Sequence, residues 1–458
     1  MGHTELLVRY VCAAKFDDLP ADVVKQAKLI ILDSIGCALA GSRTKLGEVV
    51  IEHTRALGGK KESLIFGRKL RTNSLLAGYC NSILLDALDF EETALSHPSA
   101  TIIPAAFALG EAAKTSGKNL ILGVVLGFEV SLRIGYAILP SPEVTNPLAT
   151  RSSFLSFGSC TAGGKILGLS SKELLNAFGY TGASTPLPLW ATKWERPLHW
   201  IKNNFAEQTR AGILGVLMSS RGFLAPPNIL DGDLGFWRMV GSDRCDFARL
   251  VEGLGTHYEI RTDTFKLYPA CRSFHAVLDV IRDLTKENNI VLDQVDNITV
   301  KTFGDVVHWL TDRKPFAMTD GIFSLPYCIA MVLTDEEAGP SWYSEANLSS
   351  KRVASCMEKI TVELDIEAEE LYLKKGKATG TVEIRLRGGR QFVKKAPYAK
   401  GDPESPIGED QIINKFENLA ASVIPTRRII AQIVDGIMNL ETLQDITVLT
   451  SLVRNAVS

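Results

Sequence analysis

The period at which apolar residues recur changes twice along this chain, and that constrains its fold more than any other feature. From residue 5 to about residue 260 the period is helical. Pro20-Ala-Asp-Val-Val opens a helix that runs to Ala40, with Gly41 as its stop. Further helices are expected over 74–88, 99–115, 119–138 and 203–221, and Ser170-Ser-Lys-Glu is a capping-type start for another. Near residue 260 the period drops to two. Ile298-Thr-Val-Lys-Thr-Phe, Ile360-Thr-Val-Glu-Leu-Asp-Ile and Gly380-Thr-Val-Glu-Ile-Arg-Leu alternate as half-buried strands do, and Gly388-Gly389 reads as a hairpin turn into Gln391. Helices at 273–287, 320–334 and 344–358 lie among these strands, and from about 409 the helical period returns over 409–421, 426–439 and 441–454. The expected fold is mostly α: a large helical domain interrupted by a smaller α+β domain, with C-terminal helices returning to the helical part. The segments are 1–261, 262–395 and 396–458, and Lys395 to Ile407 is the return linker.

Two stripes of small residues bear on packing. Gly123, Gly127, Ser131 and Gly135 recur every fourth position, which lets another backbone approach closely. The candidate partner is Gly158-Ser-Cys-Thr-Ala-Gly-Gly164. A lone helical glycine costs about 1 kcal/mol against alanine, so this many together point to tight helix contact.

Composition excludes several function classes. With 458 residues, 46% hydrophobic and a net charge of −2, the chain can build a large core but has no broad basic field for nucleic acid or an anionic membrane. A local cationic site for a small acid is compatible with that balance. The eight cysteines show no CxxC and no Cys/His spacing of a zinc or iron–sulfur site, so buried thiols and a reducing, cytoplasmic compartment are expected. The oiliest stretch, 120–139, is interrupted by Glu129 and Arg133 and reads as a buried helix. GxGxxG, P-loop, GxSxG and HExxH patterns do not occur, and the expectation is chemistry without metal or cofactor.

Chemistry-bearing residues gather in four stretches. In 86–104, Asp86, Asp89, Glu91, Glu92, Thr93, Ser96 and His97 form a polar knot between two apolar helical patterns. Asp89, Thr93 and His97 are spaced by four, so they share a face if the helix continues. If it breaks near Ser96, His97-Pro98-Ser99 opens the next helix beside its unpaired N–H groups. An N-cap with a surface acidic cluster is the plain alternative. The second stretch holds Lys266, Cys271, Arg272 and His275 within ten residues. Arg272 sits near a helix start, where an anion would relieve its charge. The alternative is solvated cations and a half-buried histidine. The third is Trp194-Glu-Arg-Pro-Leu-His199-Trp-Ile-Lys202, aromatics and cations ahead of a long apolar helix, or else a surface loop. The fourth is Phe323-Ser-Leu-Pro-Tyr327, where Pro326 would kink a helix and turn a hydroxyl inward, or else Tyr327 is a core residue.

In this order the stretches resemble the MmgE/PrpD family. Leu88-Asp-Phe-Glu-Glu-Thr with His97-Pro-Ser-Ala is similar to its D-[FY]-[DN]-D-T…H-P-[SG] signature. Lys266-Leu-Tyr-Pro-Ala-Cys-Arg-Ser-Phe-His is similar to K-x-Y-P-x-C-x-x-x-H, and Phe323-Ser-Leu-Pro-Tyr327 to F-S-x-x-Y. The resemblance implies a helical domain with an α+β lid, a homodimer, and a site between them for a small carboxylic acid. It implies a cofactor-independent hydro-lyase similar to 2-methylcitrate dehydratase, or an epimerase, isomerase or decarboxylase of a related acid. Pocket positions carried over are Asp89, Thr93, His97, Lys202, Lys266 and Tyr327, of which Asp89, His97, Lys202, Lys266 and Tyr327 are expected to be catalytic; Thr93, Cys271, Arg272, His275 and either Arg151 or His199 are expected to hold substrate. In this expectation Asp89 orients His97, and Tyr327 or Lys202 is its proton-transfer partner. The chain departs from the family pattern in one respect. No histidine occurs between His97 and His199, where many members carry a second one, and Arg151 stands in that region. That departure motivates a further alternative, a binding protein that kept the fold and lost the chemistry.

Overall fold

A computed structural model describes residues 1–145, 152–186, 198, 200 and 204–457. It is mostly helical, with a small α+β part. The first core joins residues from Leu7 to Phe265 with residues from Ile412 to Val457, so the C-terminal helices pack back onto the helical part. Helix Gly117–Ala137 is long and apolar enough to cross a membrane, but its residues lie in this interior. Glu129 and Arg133, inside it, pair with each other at 2.5 Å. The stripe of small residues on that helix meets helix Leu155–Ile166: a side chain at Gly127 would stand 2.9 Å from Gly158 O. The Ser170 capping box forms as well, with Glu173 reaching back to the Ser170 N–H at 2.8 Å.

The second core runs from Tyr268 to Leu386 and rests on a four-stranded sheet. Strand Val295–Thr302 pairs antiparallel with Gly380–Leu386, which pairs antiparallel with Gln391–Ala396 through the turn at Gly388 and Gly389. Its pairing with Ile360–Leu364 is parallel, because helices between residues 304 and 357 carry the chain back to the same end. Asp365 ends that strand by accepting the Glu367 and Ala368 N–H groups at the start of helix Ile366–Lys375. The helix expected over 320–334 is two helices, Met318–Ile322 and Leu325–Leu333. Ser324 caps the second by accepting the Tyr327 N–H, and Pro326 sits in its first turn, where proline needs no N–H, so it starts a helix and does not kink one.

The two cores touch through four elements that matter for the site. Cys37 and Ala40 of helix Ala21–Gly41, Leu88 and Phe90 of the loop after helix Ser74–Asp86, and Leu419 of helix Glu409–Ala421 all pack into the second core. The return segment lies against the stretch between Phe265 of the first core and Tyr268 of the second, with the Phe265 N–H donating to Gly401 O at 3.3 Å.

Candidate active site

Helix Ser74–Asp86 stops at Asp86, and Asp89 takes φ 50°. Aspartate tolerates this left-handed conformation better than most residues. The helix therefore does not continue, and of the two alternatives for this stretch the break holds: Asp89, Thr93 and His97 lie on a tight loop, and the next helix opens at Ser99. Alternation within it sends Leu88 and Phe90 into the second core and leaves Asp89 and Glu91 to the polar side.

Several contacts fix this loop. Lys266, fully buried, donates to Asp89 O at 2.7 Å and to Asp89 Oδ2 at 2.8 Å. Thr93 and Thr264 exchange two main-chain hydrogen bonds, at 2.9 and 3.0 Å. The Thr93 hydroxyl donates to Ser96 O at 2.6 Å, so it braces the loop. Glu92 Oε1 accepts the Ser99 N–H at 2.7 Å and caps helix Ser99–Ala113.

His97 stands at the centre, its side chain 16% exposed and its ring against Phe205 at 5.2 Å. Its Nδ1 is 2.7 Å from Glu91 Oε1, and its Nε2 is 3.9 Å from Asp89 Oδ1. The orienting carboxylate is thus Glu91. Asp89, expected in that role, is paired with Lys266. Burial, and next the Lys266 charge, lower the affinity of His97 for a proton, while Glu91 and Asp89 oppose that. The neutral ring donates from Nδ1 to the acceptor-only carboxylate and turns Nε2 toward Asp89.

Beside this dyad, Glu92 and Asp263 are both buried, and their carboxyls face each other. Burial raises both, and each is pushed further by neighbouring carboxylates. Two neighbouring buried carboxyls that cannot both ionise share one proton.

The second stretch divides. Lys266 reaches the loop, and Cys271, half-buried, lies near Asp89, its thiol raised by burial first and by Asp89 next. Arg272 is committed elsewhere: it pairs with Asp402 of the return segment and donates to Lys400 O at 3.3 Å and His275 Nδ1 at 3.2 Å. A substrate carboxylate at Arg272 would have to compete with Asp402. His275 is fully buried and gives its Nε2 hydrogen to Ala270 O at 3.0 Å. Burial, then Arg272, keep it neutral, so it braces its own turn. The Tyr327 hydroxyl, expected as an acid, donates to Trp342 O within the second core. Arg151, His199 and Lys202 lie outside the described residues.

Ligand atoms of Asp86, Asp89, Glu91 and His97 lie within 4.8 Å of one another. Three carboxylates and an imidazole suit a divalent cation in type. The set does not fit one in charge, because the Lys266 ammonium is 2.8 Å from Asp89 Oδ2 and a cation bound there would face it. What the arrangement can do is accept or deliver a proton at His97 Nε2, next to a fixed positive charge.

Sequence reasoning missed Glu91 as the dyad partner, and it missed Asp263 and the buried pair of Asp33 on helix Ala21–Gly41 with Lys415 on helix Glu409–Ala421, 2.6 Å apart. A carboxylate inside the apolar run Leu29–Leu39 was the one available signal for Asp33; Lys415 is an ordinary lysine of an amphipathic helix until it is seen folded.

Residues 5–247 match the MmgE/PrpD N-terminal domain and residues 268–438 match the MmgE/PrpD C-terminal domain. The cis-aconitate decarboxylase of Aspergillus terreus is 27% identical over 479 residues, covering 99% of this chain and 96% of that protein. The cis-aconitate decarboxylase-like protein oryM of Aspergillus oryzae is 26% identical, covering 98% and 97%. The Homo sapiens cis-aconitate decarboxylase is 22% identical, covering 98% and 94%.

Proposed function

The chain belongs to the MmgE/PrpD family, and from that premise we propose that it is a lyase acting on a small di- or tricarboxylic acid by proton transfer at His97. The observation that carries this reading is the Glu91–His97 dyad beside the buried Lys266–Asp89 pair. Full-length similarity to cis-aconitate decarboxylases makes decarboxylation of a cis-aconitate-like acid the first reaction to test. In such a step the bond to one carboxylate breaks, CO2 leaves, and the electron pair passes into the conjugated system of the remaining acid. One proton from His97 then closes the carbon. The substrate's own negative charge raises the proton affinity of His97, and Lys266 stabilises the developing enolate charge.

Dehydration of 2-methylcitrate is the second reading. The neutral state of His97 favours it, since a neutral imidazole with an unprotonated Nε2 is a base ready to take a proton next to a substrate carboxylate. The proposal includes a homodimer, a cytoplasmic location and no metal or cofactor, with Lys202, Arg151 and His199 as further groups for the substrate.

Incubation with cis-aconitate and with 2-methylcitrate, followed by proton NMR and CO2 release, tests both readings. CO2 equal to a new unsaturated diacid supports the first, and a new double bond without CO2 supports the second. No turnover, with no rise in melting temperature on any citrate-like acid, overturns the proposal.

A further inference from the structure

The C-terminal helix Glu409–Ala421 sends one buried lysine across to the catalytic loop. Lys415 Nζ donates to Phe90 O at 2.6 Å, lies 4.0 Å from the Phe90 ring, and is 2.6 Å from Asp33 Oδ1 on helix Ala21–Gly41. Asp33 is fully buried, and the Lys415 side chain is 7% exposed. The Asp33 carboxylate also faces the Glu92 N–H. Of the two peptide groups that flank Glu91, the carbonyl before it is held by Lys415, and the N–H after it faces the Asp33 carboxylate that pairs with Lys415. One residue earlier, Asp89 O takes the ammonium of Lys266. Two consecutive carbonyls of a loop with a left-handed residue each bind a lysine from a distant part of the chain. With the two carbonyls before it fixed by buried lysines, Glu91 is held where its carboxylate meets His97, and a strained backbone persists only where its surroundings over-determine it.

We propose that Lys415 and Asp33 are a positioning pair for the Glu91–His97 dyad, so that the C-terminal helix is a working part of the site and not only a cover for the helical core. The proposal rests on the reading of His97 as the proton-transfer group. The alternative is a buried ion pair that ties two packed helices together and leaves the dyad alone. Removing one partner of a buried pair strands the other charge, whereas removing both is tolerated far better. The double variant Asp33→Asn/Lys415→Met is therefore the informative one.

The test observes the hydrogen between His97 Nδ1 and Glu91, which gives a downfield proton resonance assigned by its loss in His97→Asn and in Glu91→Gln. The double variant is expected to melt within about 5 °C of the wild type, since it leaves no stranded charge, yet to lose that resonance. On whichever acid the enzyme turns over, kcat should fall about tenfold or more with KM nearly unchanged. If the double variant does not fold, Asp33→Asn alone keeps the side-chain volume, and the resonance should weaken there. A full-intensity resonance in either folded variant overturns the proposal. Because this signal needs no substrate, a failure to find any turnover would sink the lyase reading while leaving the positioning result legible.

Discussion

Glu91 Oε1 and His97 Nδ1 are 2.7 Å apart, on a loop in which Asp89 takes a left-handed φ of 50°. The carboxylate fixes which ring nitrogen carries hydrogen, and with it which nitrogen meets a substrate. Glu91 is fully buried, so its charge acts on the ring with little screening by water. The relation makes Glu91 a positioning residue whose loss should be felt through His97.

Glu91→Gln should therefore lower kcat by about tenfold to a thousandfold, a part of the roughly hundredfold to ten-thousandfold that general acid–base catalysis contributes. The amide can present either face to Nδ1, so the ring loses its fixed tautomer. Glu91 also raises the proton affinity of His97, so the pH profile limb assigned to His97 should move to lower pH in the variant. A variant with wild-type kcat and an unmoved limb would remove Glu91 from the mechanism.

The Glu92–Asp263 pair carries a different prediction, in stability. The folded state holds its shared proton above the ordinary carboxyl range of roughly 4, where the unfolded chain has released it. Its contribution is fully present below that unfolded value and is lost as pH rises through the raised folded value. Melting temperature measured against pH should fall across this window in the wild type. Asp263→Asn supplies an N–H in place of the shared proton and should flatten the curve. An equal slope in both proteins would contradict a shared proton.

Tyr327 should separate fold from chemistry. Tyr327→Phe strands the Trp342 carbonyl in the second core, at a cost of about 1–3 kcal/mol seen in thermal or urea unfolding. Turnover should change by no more than about threefold, since the hydroxyl is committed away from His97. A loss of activity beyond about a hundredfold with unchanged stability would return Tyr327 to the role of acid.

Much of this was readable before folding, and the reasons for the rest are physical. The change of period near 260 and its reversal near 409 marked the two cores because helix and strand bury different spacings. The polar knot at 86–97 stood out because seven polar residues interrupt two apolar helices. Partner choice was not readable. Asp89 and Glu91 are both near His97 in sequence, and only the left-handed turn at Asp89 decides that Glu91 meets the ring. The partner of Arg272 was not readable either, because Asp402 reaches it only through the fold of the return segment. Lys415 and Asp33 come from opposite ends of the chain, and no local pattern marks a lysine that will be buried.

The central claim is that His97 moves the proton in a lyase reaction on a small carboxylic acid. Its most direct test is turnover of cis-aconitate in D2O by the wild type and by His97→Asn, read by NMR with melting temperatures alongside. The account predicts one deuterium on the product carbon per CO2 released by the wild type, and a loss of about a hundredfold or more in the stably folded variant. A folded His97→Asn protein that turns over at the wild-type rate would contradict it.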